Sequence, residues 1–563
     1  MGRLQLVYDF APESISSPIH RGGFATNEPG RVSPQRTSAT TRVVVIGAGP
    51  SGLTAAYELT KSGVPVTVLE RDPERVGGLA RTERYKNFLF DIGGHRFFSK
   101  SREIEDLWTE ILGEDMLVRD RLSRIFYKGK FFDYPLRAWN VFVNLGPINV
   151  ARALASYAQA RLHPIPDARS FEDWTINAFG RRLYETFFKS YTEKVWGIPC
   201  SEISADWAAQ RIKGLSMVSL LKATLLPKRR GPREKIIKTL LDQFRYPVRG
   251  PGQMWEAVTA RVRERGGEIV LDATVERAER GPAGLERIVA KTASGTRSES
   301  GTHFLSSMPI RDLVAALAPP APPDVLRAAN GLKYRDFLTV ALIVEQENVF
   351  PDNWIYIHDP SVSFGRIQNF KNWSLGMVPD PSLTCLGLEY FCSDGDELWQ
   401  RSDAELRELA RTELGQIGLV DPAKVRDGCV VRMRKAYPVY DDSYRENVET
   451  VRRFLEAELP NLQLIGRNGM HKYNNQDHAM MTGLLASRNI LGGTFDVWKV
   501  NSDAEYQENG DVQDSARAIP KLLTLRPGGP VIPEKGRRRR TRRSRPDQGE
   551  GGTDAGDPRG LSR

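Results

Sequence analysis

One stretch, residues 42–98, constrains the fold of this chain more than any other part of the sequence. It opens with a run of β-branched residues, Val43–Ile46, which predicts a buried parallel strand. A glycine-rich turn follows, then a helical pattern over 53–61, a second apolar strand at Val66–Leu69, and the acid Glu70. A strand, a glycine turn, a helix, a strand and an acid in this order are typical of a unit that binds a dinucleotide.

The glycines of the first turn have distinct tasks in such a unit. Gly47 allows the tight turn, Gly49 lets the backbone approach a pyrophosphate, and Gly52 lets the helix pack closely on the strand. The helix N-terminus then faces the phosphates, and Glu70 can accept a hydrogen bond from a ribose hydroxyl. A plain βαβ turn that binds no nucleotide is the alternative, but strand, helix and acid all stand where nucleotide binding needs them.

A second group of glycines follows the acid. Arg71 is followed by Gly77-Gly78-Leu79, and Gly93-Gly94 directly precede a histidine. Together the two groups resemble the FAD family that contains the amine oxidases, protoporphyrinogen oxidases, carotene desaturases and UDP-galactopyranose mutases. The resemblance implies that the Gly-Gly pair passes close to the FAD diphosphate and ribityl chain. The sequence has no second complete GxGxxG motif, which argues against a separate NAD-binding domain.

The composition of the 563 residues, with 40% hydrophobic and 27% charged, is that of a soluble enzyme of about two or three domains. No apolar run approaches the ~18 residues of a membrane-spanning helix, and the N-terminus has no signal-peptide core, so we expect a cytoplasmic protein. The four cysteines show neither a disulfide framework nor metal-ligand spacing. Reduced thiols and no bound metal are therefore expected.

The net charge of +10 is unevenly distributed, because residues 535–545 alone carry eight positive charges. One interpretation is a solvated, disordered tail. The other is contact with RNA or with an anionic membrane near a site of glycan assembly. No aromatic residues are interleaved with these arginines as nucleic-acid binding would require, which favours the first interpretation and argues against a nucleic-acid partner.

The order of predicted elements indicates an α/β fold, in which a Rossmann-like FAD-binding domain carries a helical insertion and a second, antiparallel β-sheet forms a substrate domain. Strands near 268–271 and 273–277 are expected to return to the nucleotide domain. The predicted boundaries are a disordered leader at 1–40, FAD-binding segments at 41–100, 246–310 and 456–495, a mainly helical substrate-cleft insertion at 101–245, the antiparallel sheet domain at 311–455, and an extension with a disordered basic tail at 496–563.

Several separated motifs narrow the resemblance to the UDP-galactopyranose mutases, and to the eukaryotic type more than the short bacterial type. The resemblance runs from about residue 42 to 492. The motifs are GGHRFFSK at 93–100, FFDYPLR at 131–137, YTEKVWGIP at 191–199, WAAQRIKG at 207–214, FRYPVRGPGQMW at 244–255, WIYIHDPSVSFGRIQNF at 354–370, KAYPVYD at 435–441 and GRNGMHKYNNQDH at 466–478.

The resemblance implies a reaction in which the N5 atom of reduced FAD attacks the anomeric carbon of a nucleotide sugar and the diphosphate leaves and later returns. By the same resemblance, Arg211 and Arg366 hold the diphosphate, and Tyr356, Tyr437 and Tyr473 add neutral hydrogen-bond donors. Guanidinium groups suit this task because they stay charged and bind diphosphate oxygens in a bidentate manner. An ordinary surface arginine is the alternative for Arg366.

Three further residues are assigned through the resemblance. His95 is expected beside the isoalloxazine, where it would position the reduced flavin near N5; a core histidine bonded to the backbone is the alternative. Trp196 is expected at the sugar cleft, although aromatic residues also fill cores. Tyr134 matches a position that stacks on the nucleobase.

The remaining assignments concern the cofactor. A Thr-Val pair near residue 275 contacts the adenine in related flavoproteins, and the segment after the last strand places a helix N-terminus against the FAD. The predicted cofactor-binding residues are Gly47, Gly49, Gly52, Glu70, Arg71, Gly77, Gly78, Leu79, Gly94, Val275, Arg467, Asn475, Gln476 and Asp477.

Three departures from the eukaryotic pattern leave the sugar and the base open. Thr192 stands where the eukaryotic type has an asparagine, and Arg137 stands where it has a glutamine that contacts uracil. The predicted lid at 215–245 differs from the reference pattern and contains the basic run 228–230. None of these departures removes a residue of the diphosphate clamp.

The sequence thus supports three functions. The first is an FAD-dependent pyranose/furanose mutase of a nucleoside-diphosphate sugar, active with reduced flavin, in surface glycan or natural-product biosynthesis. The second is an FAD-dependent oxidoreductase of the protoporphyrinogen oxidase or amine oxidase type, which would need an apolar or aromatic cage above the flavin. The third is a non-catalytic protein with structural FAD. NAD(P)H or a separate carrier would reduce the flavin of a mutase, and the oligomeric state is left open.

Overall fold

The computed structural model describes residues 41–134, 136–205 and 243–501. These residues belong to one unit. The predicted leader at 1–40, Arg211, the basic run 535–545 and all but the end of the predicted lid lie outside the described residues.

A five-stranded parallel sheet forms the base of the nucleotide-binding part, in the order β20-β13-β1-β2-β9. The side chains of Val43–Ile46 are all buried, as the apolar run predicted. The strand that they form pairs with β2 on one side and with β13 on the other. The sheet is completed by segments more than 200 residues away in sequence. Its strands are β1 (Val43–Ile46), β2 (Val66–Leu69), β9 (Glu268–Val270), β13 (His303–Ser306) and β20 (Leu462–Leu464).

A seven-stranded sheet forms the second part, in the order β19-β15-β18-β17-β16-β6-β7. All neighbouring strands are antiparallel except β6 and β16, which are parallel. Its central strands are almost wholly buried, which explains their long apolar runs. The strands are β6 (Ser123–Tyr127), β7 (Lys130–Asp133), β15 (Tyr334–Val344), β16 (Trp354–Ile357), β17 (Arg366–Asn369), β18 (Thr384–Cys392) and β19 (Val425–Pro438).

The remaining strands form three smaller sheets. Residues 274–281 belong to a four-stranded sheet in the order β12-β11-β10-β14, which shares its apolar core with the parallel sheet. This segment is half exposed and pairs with the next hairpin along the chain, a local pairing that apolar periodicity did not reveal. The remaining strands are β3 (Thr82–Tyr85) paired with β4 (Phe88–Asp91), β5 (Met116–Asp120) paired with β8 (Gln243–Pro247), β10 (Thr274–Gly281), β11 (Gly284–Thr292), β12 (Gly295–Ser300) and β14 (Leu317–Ala318).

Apart from α1, the helices before residue 197 lie in the segment predicted as a helical insertion, although β6 and β7 of that segment join the large sheet. Gly180, with φ of 82°, ends α5, and the chain continues through α6 into a π-helical segment at Tyr184–Lys189. The helices are α1 (Pro50–Lys61), α2 (Arg102–Leu112), α3 (Ala138–Leu145), α4 (Pro147–Leu162), α5 (Phe171–Phe179), α6 (Arg181–Leu183) and α7 (Ser190–Trp196).

The later helices cover both sheets. They are α8 (Gly252–Glu264), α9 (Ile310–Ala315), α10 (Pro323–Gly331), α11 (Phe370–Trp373), α12 (Glu397–Gln400), α13 (Asp403–Gln416), α14 (Tyr444–Glu458) and α15 (Gln476–Ile490). Helices α1, α8 and α15 pack against one another over the parallel sheet, in one continuous apolar core with it. Within the described ranges, no helix has the length and apolar character needed to cross a membrane.

Candidate active site

The first glycine turn leaves an open cradle at the start of α1. Gly49 is the N-cap of this helix and offers no side-chain cap, and the first turn contains no acid. A Cβ atom added to Gly49 would meet nothing within 4 Å, whereas one added to Gly52 would lie 2.0 Å from the Gly47 carbonyl oxygen. The turn therefore packs tightly on the helix at one glycine and is open at another, beside a helix N-terminus that favours an anion.

The second glycine motif lies directly over this cradle. The Gly77 N–H donates to the Ala48 carbonyl at 2.8 Å, and a Cβ added to Gly78 would lie 3.3 Å from the Gly49 Cα. Leu79 then packs against an apolar cluster around Phe337 of the large sheet. The structure thus brings the two sequence motifs together and connects them to the second sheet.

Glu70 lies at the end of β2, as predicted for a ribose ligand. Its carboxylate accepts hydrogen bonds from the backbone N–H groups of Ala48 at 2.7 Å and Asp72 at 2.9 Å. Burial raises the pKa of this carboxyl, and the two backbone donors oppose that shift. The next residue, Arg71, is exposed. The Ala273 N–H donates to the Glu70 carbonyl, which brings the segment just before Val275 next to Glu70.

The C-terminal segment adds the far side of the cradle. Asn475 caps α15, and both polar atoms of the next side chain, the Gln476 amide, are buried without a hydrogen-bond partner. Burial raises the pKa of Asp477 to about 7, against hydrogen bonds from the His478 backbone and Ser99. Arg467 donates to the carbonyl oxygens of Asn474 and Ala436, so part of its guanidinium has a structural task.

These features fit FAD. The open glycine turn at an uncapped helix N-terminus accommodates a diphosphate, and the orphaned Gln476 amide lacks the partner that a buried polar group needs. Among the residues predicted for the cofactor, Gly49, Gly78 and Gln476 have the features that a flavin dinucleotide would satisfy.

Arg366 lies on β17 in the middle of the large sheet, where register gives it two opposite neighbours. Tyr356 of β16 pairs with it on one side and Glu389 of β18 on the other. The side chain of Glu389 is fully buried and accepts hydrogen bonds from both the Arg366 guanidinium and the Gln368 amide, the latter at 2.6 Å. Burial would lower the pKa of Arg366, but Glu389 holds it well above its usual value.

Tyrosines surround this arginine. Tyr191 and Tyr356 contact each other edge to face at 5.7 Å, and Tyr437 and Tyr473 stack at the same centroid separation. Burial raises the pKa of Tyr191 well above its ordinary value. Burial and the neighbouring Tyr473 raise the pKa of Tyr437 to about 12. These two hydroxyls are therefore protonated donors at neutral pH.

His95 connects the cradle with the large sheet. A Cβ added to its neighbour Gly94 would lie 2.8 Å from the Gln368 amide nitrogen, so the glycine loop rests on the strand that carries Arg366. Burial, and then the positive charges of Arg467 and Arg366, lower the pKa of His95 to about 3. Its Nδ1 atom is buried without a hydrogen-bond partner. A neutral imidazole therefore faces this junction, and the motif around His95 does not indicate its protonation state.

Arg121 is a cation that the sequence analysis missed. It lies beside Tyr134 and Trp354, with 5.5 Å from its guanidinium carbon to each ring centroid. All three guanidinium nitrogens are buried, and none has a hydrogen-bond partner in the described parts of the chain. Tyr134 contacts Tyr356 at 4.9 Å, which places Arg121 one aromatic ring away from the tyrosines around Arg366. A buried guanidinium without a partner is costly, and an anionic ligand would remove that cost.

Trp196 is a predicted site residue whose ring is buried among other side chains. Its side chain is 3% exposed, belongs to an apolar cluster next to the site and stacks on Tyr440. The predicted tyrosines pack against the same cluster from above. They are Tyr134, Tyr356, Tyr437 and Tyr473.

Other site residues were also missed. Glu389 lies outside the quoted motifs, and only the register of β17 and β18 shows that it pairs with Arg366. Gln368 stands within the motif at 354–370, but its hydrogen bond to Glu389 is visible only in the structure. Tyr191 stands within the quoted YTEKVWGIP motif, so its position on the α7 face opposite β16 could have been inferred. Arg121 follows a strand that sequence reasoning left unassigned.

A search for family membership matches the flavin containing amine oxidoreductases over residues 50–491. The chain is 27% identical to a probable UDP-galactopyranose mutase of Klebsiella pneumoniae over 169 residues, which cover 29% of this chain and 43% of that protein. It is 29% identical to a dTDP-fucopyranose mutase of Escherichia coli over 174 residues, 29% of this chain and 44% of the relative.

A third relative points to the oxidases. The chain is 25% identical to the putative flavin-containing monoamine oxidase AofH of Mycobacterium tuberculosis over 304 residues, 52% of this chain and 62% of that protein. All three matches span less than two thirds of the relative's own length.

Solved structures share the fold. A reduced UDP-galactopyranose mutase superposes with a TM-score of 0.70 at 21% identity, over 83% of this chain and 98% of that chain. A putative protoporphyrinogen oxidase from Exiguobacterium sp. 255-15 superposes with a TM-score of 0.60 at 20% identity, over 80% and 99% of the two chains. The chain therefore shares its fold with both of these flavoproteins, and by its sequence it belongs to the family of the flavin containing amine oxidoreductases.

Proposed function

We propose that this protein is an FAD-dependent mutase that interconverts the pyranose and furanose forms of a nucleoside-diphosphate sugar. One observation carries the proposal: a charged arginine, Arg366, is ringed by tyrosines and lies beside a neutral histidine at the junction with the flavin cradle. An amine or porphyrinogen oxidase would place an apolar or aromatic cage there, with no need for a cation that binds a dianionic group.

The protein's own groups would divide the work as follows. Arg366 would bind diphosphate oxygens with the N–H groups left over from Glu389, and the protonated Tyr191 and Tyr437 hydroxyls would donate to the same group. Tyr356 and Tyr473 would act in the same way. Bound FAD, in its reduced form, would supply the nucleophile toward the anomeric carbon.

The neutral state of His95 has a chemical consequence. A protonated imidazole beside the flavin would add positive charge to a junction that already contains Arg366 and Arg467, and burial disfavours it. His95 would therefore serve as a neutral hydrogen-bonding group near the flavin ring and not as a general acid at neutral pH. Its orphaned Nδ1 atom is available for that contact.

Arg121 extends the proposed substrate site. Its guanidinium lies behind Tyr134, the residue assigned to the nucleobase, so an anionic part of the nucleotide would bind between this side chain and Arg366. Arg211, outside the described residues, is the further diphosphate arginine proposed from the sequence. Trp196 would support the tyrosines from below and would contact the sugar only at its edge.

The mutase relatives add support, since a probable UDP-galactopyranose mutase and a dTDP-fucopyranose mutase both match this chain. They differ in base and sugar, so the substrate class proposed is a nucleoside-diphosphate hexose or deoxyhexose. NAD(P)H or a separate electron carrier would reduce the flavin, and the furanose product would serve surface glycan or natural-product biosynthesis.

The decisive experiment is anaerobic turnover by the purified flavoprotein. The flavin is reduced with dithionite, UDP-galactopyranose and dTDP-fucopyranose are added in turn, and products are separated chromatographically. Interconversion that disappears on reoxidation of the flavin is the expected result. Absence of both turnover and micromolar binding of UDP and dTDP would refute the proposal.

The second candidate is an FAD-dependent oxidoreductase, favoured by the match to a putative monoamine oxidase over about half of the chain. It predicts net oxidation of an organic amine or porphyrinogen with reduction of oxygen. Hydrogen peroxide formation with a panel of amines, unaffected by nucleoside diphosphates and by the substitution Arg366→Lys, would establish this candidate over the mutase.

A further inference from the structure

Helices α3 and α4 present an unusual number of apolar side chains to solvent. Among the described residues, nine large apolar side chains are exposed, and six of them lie on these two helices. Trp139 and Leu162 are 70% and 76% exposed, values that a folded protein rarely leaves without a partner when neighbours are similar. The six are Trp139, Phe142, Val143, Ile148, Leu154 and Leu162, which we call the α3–α4 surface.

The spacing on α4 makes the surface continuous along the helix. Ile148, Ala151, Ala155, Ala158 and Leu162 follow one another at intervals of three or four residues, and all five are exposed. The buried positions of the same helix, Ala153 and Ala160, are small. The apolar stripe of α4 therefore faces outward, the reverse of an ordinary surface helix of a globular protein.

The charged side chains on α3 and α4 themselves are all basic. From residue 134 to 166 there is no aspartate or glutamate, while Arg137, Arg152 and Arg161 are present. Next to the stripe, a groove of about 550 Å³ is lined by Arg152, Arg181 and Arg182, with Glu185 as the acid among its lining residues. Exposed apolar side chains flanked by arginines are the features of a segment that lies in the interface of an anionic bilayer.

We propose that the α3–α4 surface docks this protein on the surface of an anionic lipid bilayer, with Trp139, Phe142 and Ile148 inserted at the level of the headgroups. The rings of Trp139 and Phe142 stack at 5.7 Å and so form one amphipathic anchor, which suits the interface between headgroups and acyl chains. Arg152, Arg181 and Arg182 then bind the phosphates of the lipid headgroups.

A second copy of this chain fits the surface less well. A twofold contact would place the same patch on both subunits, and its arginines would then face one another without an acid from residues 134–166 to pair with them. An anionic membrane neutralises all of them at once. The basic run 535–545 would add attraction by its charge alone, beyond the binding that the α3–α4 surface provides.

Cosedimentation of the full-length flavoprotein with lipid vesicles tests the proposal. Vesicles of phosphatidylcholine with phosphatidylglycerol are expected to bind the protein, and vesicles of phosphatidylcholine alone to bind it much less. The double substitution Trp139→Asp with Ile148→Asp should lower the binding constant about tenfold or more, because two apolar side chains are lost from the interface. Leu375→Asp is the matched control, since Leu375 is 63% exposed but lies far from α3 and α4 in sequence and packs beside β4 instead.

Flavin content and circular dichroism show that each variant is folded. The proposal is overturned if the double variant binds anionic vesicles as the parent protein does, or if removal of residues 526–563 abolishes binding while the α3–α4 surface is intact. It is equally overturned if sedimentation equilibrium shows that the double substitution dissociates a dimer without changing vesicle binding, which would assign the surface to a second copy.

Discussion

At the scale of single residues, the pairing of Arg366 with Glu389 decides the electrostatics of the site. The carboxylate of Glu389 is fully buried, whereas the guanidinium of Arg366 is partly exposed. Their contact fixes the direction in which the remaining N–H groups of Arg366 point. Taking both charges out of water costs desolvation energy, so a buried pair of this kind is weak evidence for stabilisation and is consistent with a binding role.

The substitution Glu389→Gln should therefore destabilise the unliganded protein. It removes one partner of a buried pair and leaves the charge of Arg366 uncompensated, which costs about 3–5 kcal/mol in the free energy of unfolding. Denaturant unfolding measures the loss, and added UDP should recover part of it. Glu397→Gln, which breaks an exposed pair with Arg401, is the control and should change stability by less than ~1 kcal/mol. Equal effects of the two substitutions would contradict this account of the pair.

The tyrosine hydroxyls should contribute to ligand binding individually. Tyr356→Phe removes a donor beside Arg366 but keeps the ring that packs between Tyr134 and Tyr191. A hydrogen bond to a charged group contributes about 1.5–3 kcal/mol, so binding of UDP should weaken by about tenfold or more with an unchanged fold. Isothermal titration calorimetry measures this. Tyr85→Phe, which removes a hydroxyl bonded to Asp427 in a strand outside the site, should bind UDP as the parent does.

Much of this residue-scale site could be predicted, and the reasons for the misses are physical. Arg366 and the tyrosines stand in motifs, and the structure brings them together. Glu389 was missed because its role depends on strand register, which a single sequence does not contain. The place of Trp196 at the sugar cleft stays a prediction: its ring stacks on Tyr440 beside a core cluster, and a motif does not distinguish a ring at a surface from a ring below it.

At the scale of elements, the glycine turn, α1 and the second glycine motif together form the cradle. The sequence predicted β1, α1 and β2 closely because apolar runs, glycines and an acid all specify the same unit. It did not predict the four-stranded sheet that contains β10, because the half-exposed residues 274–281 carry no apolar signal for a sheet partner. It did not predict the β11–β12 hairpin at all, since its turn at residues 292–295 lies between largely polar strands.

The substitution Gly49→Ala should leave the fold of this element intact but impair the binding of flavin. The backbone of Gly49 has φ of −79°, and its added Cβ would enter open space, so the apo protein should keep its stability within about 0.5 kcal/mol. The same methyl group would stand where a diphosphate approaches the backbone, so the purified variant should contain little flavin. Absorbance near the flavin bands measures occupancy. Gly395→Ala, also in open space but in a loop of the other sheet, should keep its full flavin content.

At the scale of the whole molecule, buried titratable groups connect stability to pH. Burial lowers the pKa values of His95 and His358 to about 3 and that of His471 to about 4. The unfolded chain binds protons on these histidines below about pH 6.5 while the folded chain does not, so they make stability fall as the pH falls. Asp91 and Asp477 act in the opposite direction between about pH 4 and 7, because burial raises their pKa values to about 7.

A single substitution measures the contribution of one histidine, His358, to this pH dependence of stability. In His358→Gln, the slope of unfolding free energy against pH between about pH 4.5 and 6 should fall by about 1.4 kcal/mol per pH unit, because one proton fewer is taken up on unfolding. Urea titrations at a series of pH values measure the slope. His163→Gln, at an exposed position after α4, should leave it unchanged. An unaltered slope in His358→Gln would show that this histidine is protonated in the folded protein.

The strand order β20-β13-β1-β2-β9 also bears on how the protein is made. The cradle opens with residue 47 but is closed only by β20 and α15, which end at residue 490. A ribosome must therefore translate the chain beyond residue 490, and release α15 from the exit tunnel, before the nascent protein can enclose a flavin. Until then the apolar edge of β1 that later pairs with β13 is exposed, and chaperones recognise such surfaces. The supply of flavin in the cell thus affects the yield of finished protein only after most of the chain has been translated.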